Sequence, residues 1–164
     1  MENEKFILSV LVANHFGVLA RVSGLFSRRG YNIDSLNVGE TVNPEISRMT
    51  IIVSGDEYIK SQIVKQLAKL QEVMHVDLLP KDETVLREHM LIKTKVTLDT
   101  RGEITEAVNV FRGKIVDFNV DSVTVEINGE PPKLNAFIEF CKKHGILEMC
   151  RSGALAMKRG TNIT

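Results

Sequence analysis

The chain has 164 residues, with 21 Lys+Arg against 21 Asp+Glu and 43% hydrophobic residues, enough for one ordinary domain or two small ones. Zero formal net charge argues against a nucleic-acid partner, because binding to a phosphate backbone rests on an excess of basic residues. The longest nearly unbroken apolar stretch, Phe6 to Ala13, is far short of the roughly 20 residues that span a bilayer, and the N-terminus lacks the pattern of a secretory signal, so the cytoplasm is the expected location.

Phe6 to Ala13 is short, β-branched and, but for Ser9, apolar on both parities, which predicts a strand that needs cover on both faces. Asn14-His15-Phe16-Gly17 breaks the run, and Val18, Leu19, Val22, Leu25 and Phe26 then recur at helical spacing up to Arg28-Arg29-Gly30. From Tyr31 to Val42 the apolar parity flips midway, which predicts a strand with a bulge near Asp34-Ser35. Asn43-Pro44-Glu45 signals a turn into a third strand bearing Met49, Ile51 and Val53. Ser54-Gly55-Asp56 caps a second helix through Ile59, Ile63, Leu67 and Leu70, and Met74, Val76 and Leu78 make a fourth strand. The order is β-α-β-β-α-β, the ferredoxin-like arrangement.

Pro80-Lys81-Asp82-Glu83-Thr84 is charged and aperiodic, so residues 80–86 read as a linker. The pattern then begins again. Met90, Ile92, Val96 and Leu98 predict a strand; Ile104, Ala107, Val108 and Phe111 a helix; Val116, Phe118 and Val120, then Val123, Val125 and Ile127, two strands. Pro131-Pro132 opens a helix through Leu134, Phe137, Ile138 and Cys141, and Ile146 to Arg151 closes with a strand. The tail from Arg151 reads as a solvated end. The expected fold is therefore α+β: two ferredoxin-like βαββαβ domains, residues 1–79 and 87–164, joined by the linker.

No catalytic signature is present. The sequence holds no GxGxxG, no Walker loop, no HExxH and no GxSxG. His15, His75, His89 and His144 have no spacing that pairs them on a helix face, and Cys141 and Cys150 form no CxxC and read as two buried, inert thiols. No catalytic residue and no metal ligand is expected.

The informative segment is Asn14 to Leu19. Gly17 permits a sharp turn, leaving the amides of Gly17, Val18 and Leu19 at a helix N-terminus, where unpaired N–H groups and the helix dipole favour a carboxylate. The Asn14 side-chain oxygen would accept a bond from an ammonium group on the same ligand, and the two ends together describe a free amino acid. The competing reading is that Asn14 only caps the helix.

These residues carry a resemblance. Ser9-Val10-Leu11, Asn14, Gly17-Val18-Leu19, Gly24-Leu25-Phe26-Ser27, Arg29-Gly30-Tyr31-Asn32-Ile33, Ser35-Leu36 and Ser47-Arg48-Met49-Thr50 resemble the small regulatory subunit of acetolactate synthase. In the second half, Arg87-Glu88, Met90-Leu91, Phe111-Arg112-Gly113, Ile115-Val116-Asp117 and Arg151-Ser152-Gly153 continue the match.

The resemblance implies that residues 1–79 form an ACT domain that pairs with a second copy and holds a branched-chain amino acid, usually valine, at the interface. Asn14, Gly17, Val18 and Leu19 match the loop that holds the effector's carboxylate and amine, and Asn32 and Ile33, from the other protomer, match the facing strand. It further implies a role in branched-chain amino-acid biosynthesis: activating the large catalytic subunit and conferring feedback inhibition on it. Thiamine diphosphate, magnesium and FAD would then belong to that partner, with no cofactor in this chain. An amino-acid-responsive ACT regulator of transcription is the alternative, though no helix-turn-helix or basic face supports it. An RNA-binding sheet would demand aromatics on central strands, which the sequence does not concentrate there.

Overall fold

The structure, a computed structural model, describes residues 4–161. Eight strands and four helices follow one another as β1 (Glu4–Ala13), α1 (Val18–Arg28), β2 (Ile33–Glu40), β3 (Ile46–Gly55), α2 (Glu57–Leu67), β4 (Val73–Leu79), β5 (Thr84–Lys95), α3 (Arg101–Val110), β6 (Lys114–Phe118), β7 (Ser122–Gly129), α4 (Pro131–Lys142) and β8 (Ile146–Lys158). They build two four-stranded sheets, ordered β2-β3-β1-β4 and β6-β7-β5-β8. This is the α+β fold of two ferredoxin-like βαββαβ repeats. The chain divides into two compact units: one runs to Val85 and takes in the chain from Ala154 onward, and Leu86–Gly153 form the other.

In the first unit, β1 is central and pairs antiparallel with both β3 and β4. Successive side chains on a strand point to opposite faces, so Phe6, Leu8, Val10 and Val12 share one face with Met49, Ile51 and Val53 of β3. Val18, Val22, Leu25 and Phe26 of α1 and Ile63 and Leu67 of α2 close over that face. Phe26 is 1% exposed, and its truncation to Ala is worth about 3–5 kcal/mol. Asp56 caps α2 as expected, its Oδ1 accepting from the Ile59 N–H at 2.8 Å. The β2–β3 register breaks between Ile33 and Ser35, where the parity of the sequence flips.

The second face of β1 is covered by this chain itself. Ala154 and Ala156 of β8 are 0% and 6% exposed. On the sheet face opposite the helices Ile7, Ser9, Thr50, Ile52 and Leu79 are buried as well. The Ala154 N–H donates to Ser35 Oγ at 3.0 Å, Arg48 Nη2 donates to the Ala156 carbonyl at 3.1 Å, and Lys158 Nζ reaches Asp77 at 3.1 Å. The expected solvated tail is thus a strand, and its small side chains are the reason: alternating alanines let one backbone lie close against a sheet face. Leu155 and Met157, the large residues next to them, point outward at 54% and 62% exposure, so the buried face of this stretch carries only small side chains.

The second unit repeats the plan. Met90 and Ile92 of β5 lie beside Ile127 and Val125 of β7, under Ile104 and Val108 of α3 and Leu134, Phe137 and Cys141 of α4. The Phe111 ring meets Phe137 edge-on at 5.2 Å between centroids. Three expectations change here. β6 carries a register shift between Ile115 and Asp117, so Ile115 packs inward while Val116, Phe118 and Val120 are exposed. Cys150 is exposed and only Cys141 is buried. β5 begins at Thr84, inside the stretch read as linker, after a single 3-10 turn at Lys81–Glu83. No helix of the described residues is long and apolar enough to cross a membrane.

Candidate functional site

Gly17 stands at the start of α1 with φ 87°, the left-handed region in which a Cβ is strained. No side chain caps the helix and no acidic residue occupies its first turn. The Val18 N–H reaches back to the His15 carbonyl only at 3.5 Å. The start of α1 therefore presents donors and the positive end of the helix dipole, with neither a capping side chain nor a first-turn carboxylate set against them among the described residues.

Asn14 does not cap this helix. Its Nδ2 donates to the Pro44 carbonyl at 2.8 Å and to Glu40 Oε1 at 3.2 Å, and its backbone N–H donates to the Glu45 carbonyl at 2.7 Å. Both amide hydrogens face acceptors, so the carboxamide cannot rotate half a turn without setting oxygen against oxygen. Its Oδ1 has no partner among the described residues and points an acceptor away from the β2–β3 turn. Sequence spacing did not reveal Glu40 and Pro44 as the groups that orient Asn14. They come to it only because the hairpin folds back beside the end of β1.

Asn32 and Ile33 lie elsewhere in the chain. They stand at the start of β2, whereas Glu40, the neighbour of Asn14, ends it. Seven residues of extended strand separate them by roughly 23 Å. Asn32 Nδ2 donates to Asp34 Oδ1 at 2.9 Å, Ser54 Oγ to Asp34 Oδ2 at 2.5 Å, and Lys5 Nζ lies 3.4 Å from the same carboxylate. The Ser54 hydrogen bond, opposed by burial and aided by Asn32 and Lys5, holds the Asp34 carboxyl below its ordinary value. Ile33 is half-buried against the first core, while Leu19 and Val38 are 47% and 41% exposed.

A cleft of about 510 Å³ opens at the other end of the same sheet, with Lys5, Asp56, Lys60, Pro80 and Lys81 in its lining. Each of its lysines already pairs with a carboxylate, Lys5 with Asp34, Lys60 with Glu57 and Lys81 with Glu4. The helix start there, that of α2, is satisfied by Asp56. Among the described residues no three His, Cys, Asp or Glu gather as metal ligands.

A βαββαβ sheet ordered β2-β3-β1-β4, with an uncapped helix start at the end of its central strand, is the arrangement of an ACT-type domain. Residues 8–75 match the family model of the AHAS small subunit-like ACT domain, and residues 87–160 that of the small subunit of acetolactate synthase. A probable acetolactate synthase small subunit of Archaeoglobus fulgidus is 47% identical over 95% of this chain and 98% of its own length. The acetolactate synthase small subunit of Mycolicibacterium smegmatis is 49% identical over 93% and 90%. The crystal structure of the small subunit from Thermotoga maritima superposes with a TM-score of 0.89 at 38% identity, covering 97% of this chain and 99% of that one. The chain belongs to the acetolactate synthase small-subunit family, as a regulatory subunit with an ACT domain.

Proposed function

We propose that this subunit senses valine at an interface between two copies of its first unit and passes that state to the large catalytic subunit of acetolactate synthase, raising its activity and making it subject to feedback inhibition. The observation that carries the reading is the pairing of an uncapped α1 start at Gly17 with an Asn14 oxygen held free by Glu40 and Pro44. The effector carboxylate takes the α1 amides, including those of Val18 and Leu19, and its ammonium takes Asn14 Oδ1.

β2 is the edge strand of its four-stranded sheet. Two copies paired antiparallel through β2, with a twofold near its middle, set Ile33 of the partner subunit against the Val38–Glu40 end of the first. The partner's Asn32 then arrives beside Asn14, which explains why residues of one motif lie a strand length apart within one chain. Ile33 and Leu36 suit a branched apolar side chain. In this reading the first unit is the effector-binding and dimerising domain. Thiamine diphosphate, magnesium and FAD reside on the large subunit, and the subunit works in the cytoplasm of the cell, where its two unpaired thiols stay reduced.

Titration calorimetry of the full-length protein with valine tests the site. Wild type binds, and Gly17→Asp, which sets a carboxylate where the ligand's belongs, loses binding by more than tenfold while staying folded. Undiminished binding by that variant defeats the site assignment. Co-purification with the large subunit, followed by acetolactate assays with each branched-chain amino acid, tests the regulatory role.

A further inference from the structure

We propose that Ser35 is a positioning residue for the effector strand, held by the terminal stretch of β8, so that effector binding at Asn32 and Ile33 and docking of residues 154–158 on the first sheet favour one another. This rests on the effector reading above and adds to it a regulatory link between that site and the end of the chain.

The register of β2 against β3 shifts between Ile33 and Ser35. Such a break leaves one residue outside the ladder, and its conformation is set by whatever side-chain contacts surround it. Here the contacts come from two directions. Asp34 is tied by Ser54, Asn32 and Lys5 on one side. On the other, the Ser35 hydroxyl accepts the Ala154 N–H at 3.0 Å, across 119 residues of sequence.

That donor is itself fixed. Ala154 is fully buried, the next inward residue, Ala156, has its carbonyl held by Arg48 Nη2, and Lys158 is anchored on Asp77. Beyond it the Arg159 N–H donates to the Glu83 carbonyl at 2.7 Å. Gly153, with φ 79°, makes the bend that starts this stretch. The terminal strand therefore sets the Ser35 end of the irregularity whose other end is Ile33. A ligand that prefers the present setting of Ile33 prefers the docked strand. By linkage the docked strand raises affinity for the ligand by the same factor.

The test uses the full chain. Valine titrations of wild type, Ser35→Ala and Ser35→Thr are set beside hydrogen exchange of the amides at residues 154–158 in wild type with and without saturating valine. Removing one neutral hydrogen bond of this kind predicts a loss of affinity of about three- to tenfold in Ser35→Ala, restored in Ser35→Thr. Valine slows exchange at 154–158 by a factor of the same order. A purely structural Ser35 shifts the melting temperature but leaves the valine dependence of exchange at 154–158 flat. Valine binding by wild type with exchange at 154–158 unchanged, or Ser35→Ala binding within twofold of wild type, overturns the coupling and leaves the effector reading intact. No valine binding by wild type overturns both.

Discussion

Arg48 Nη2 donates to the carbonyl oxygen of Ala156 at 3.1 Å, linking β3 to the terminal stretch of β8. The guanidinium is half-buried, and burial lowers its proton affinity while the Asp77 charge raises it. Removing the donor leaves a carbonyl over a closed sheet face without its charged partner. Arg48→Met is expected to cost about 1–3 kcal/mol, read as a lower melting temperature and as accelerated proteolysis at the chain end. Ala156→Leu, which forces a large side chain where 6% of the residue is exposed, is expected to cost about 1–3 kcal/mol by overpacking.

Acid should release the same strand. Burial alone would raise the Asp77 carboxyl, but hydrogen bonds and charges from Lys158 and His75 outweigh it and hold the group below its ordinary 3.8. The Asp77 charge in turn favours the charged form of Arg48. Because the folded value lies below the unfolded one, the stabilisation is complete above the unfolded value and is lost as pH falls through the folded one. Tail protection measured by hydrogen exchange is expected to hold from neutral pH to about pH 5 and to fall below about pH 4. In Asp77→Asn the tail is less protected at neutral pH, and its acid dependence is shallower.

At the proposed effector site, Glu40 is expected to distinguish an amino acid from its oxo acid. Its carboxylate accepts from Asn14 Nδ2 at 3.2 Å, orienting the carboxamide and placing a negative charge near the acceptor oxygen. Calorimetry with valine and with 3-methyl-2-oxobutanoate, which lacks the ammonium, reads this directly. Glu40→Gln is expected to weaken valine about three- to tenfold and to leave the oxo acid unchanged or slightly tighter. Equal loss for both ligands would show that Glu40 acts on the site's shape and not on its charge.

The two thiols should behave differently. Cys141 is fully buried on the inner face of α4, and burial pushes its thiol up to about 11, whereas Cys150 is exposed. A thiol reagent at neutral pH is expected to modify Cys150 promptly and Cys141 only on unfolding, because the thiolate is the reacting species. Mass spectrometry counts one adduct in native protein and two in denaturant.

Much of the fold is legible in the chain because local patterns encode it. Val18, Val22, Leu25 and Phe26 repeat at helical spacing and face the core, Asp56 sits where a cap belongs, and the parity flip between Ile33 and Leu36 marks the register break. Likewise Gly17 announces a left-handed turn before a helix whose start no side chain satisfies. Those signals span a few residues and depend only on the period of the backbone. The sequence also requires that Phe6 to Ala13 be covered on both faces, without saying by what.

Tertiary structure alone supplies that answer. The second face is closed by Ala154 and Ala156, whose burial no hydropathy pattern announces, since their larger neighbours Leu155 and Met157 point outward. The same distance in sequence hides Glu40 behind Asn14 and Ala154 behind Ser35. Local periodicity determines which residues form each element, but contacts between elements are set by small shape differences and by polar groups meeting across the fold. Those meetings decide which acceptor Asn14 presents and what holds the strand that bears Ile33.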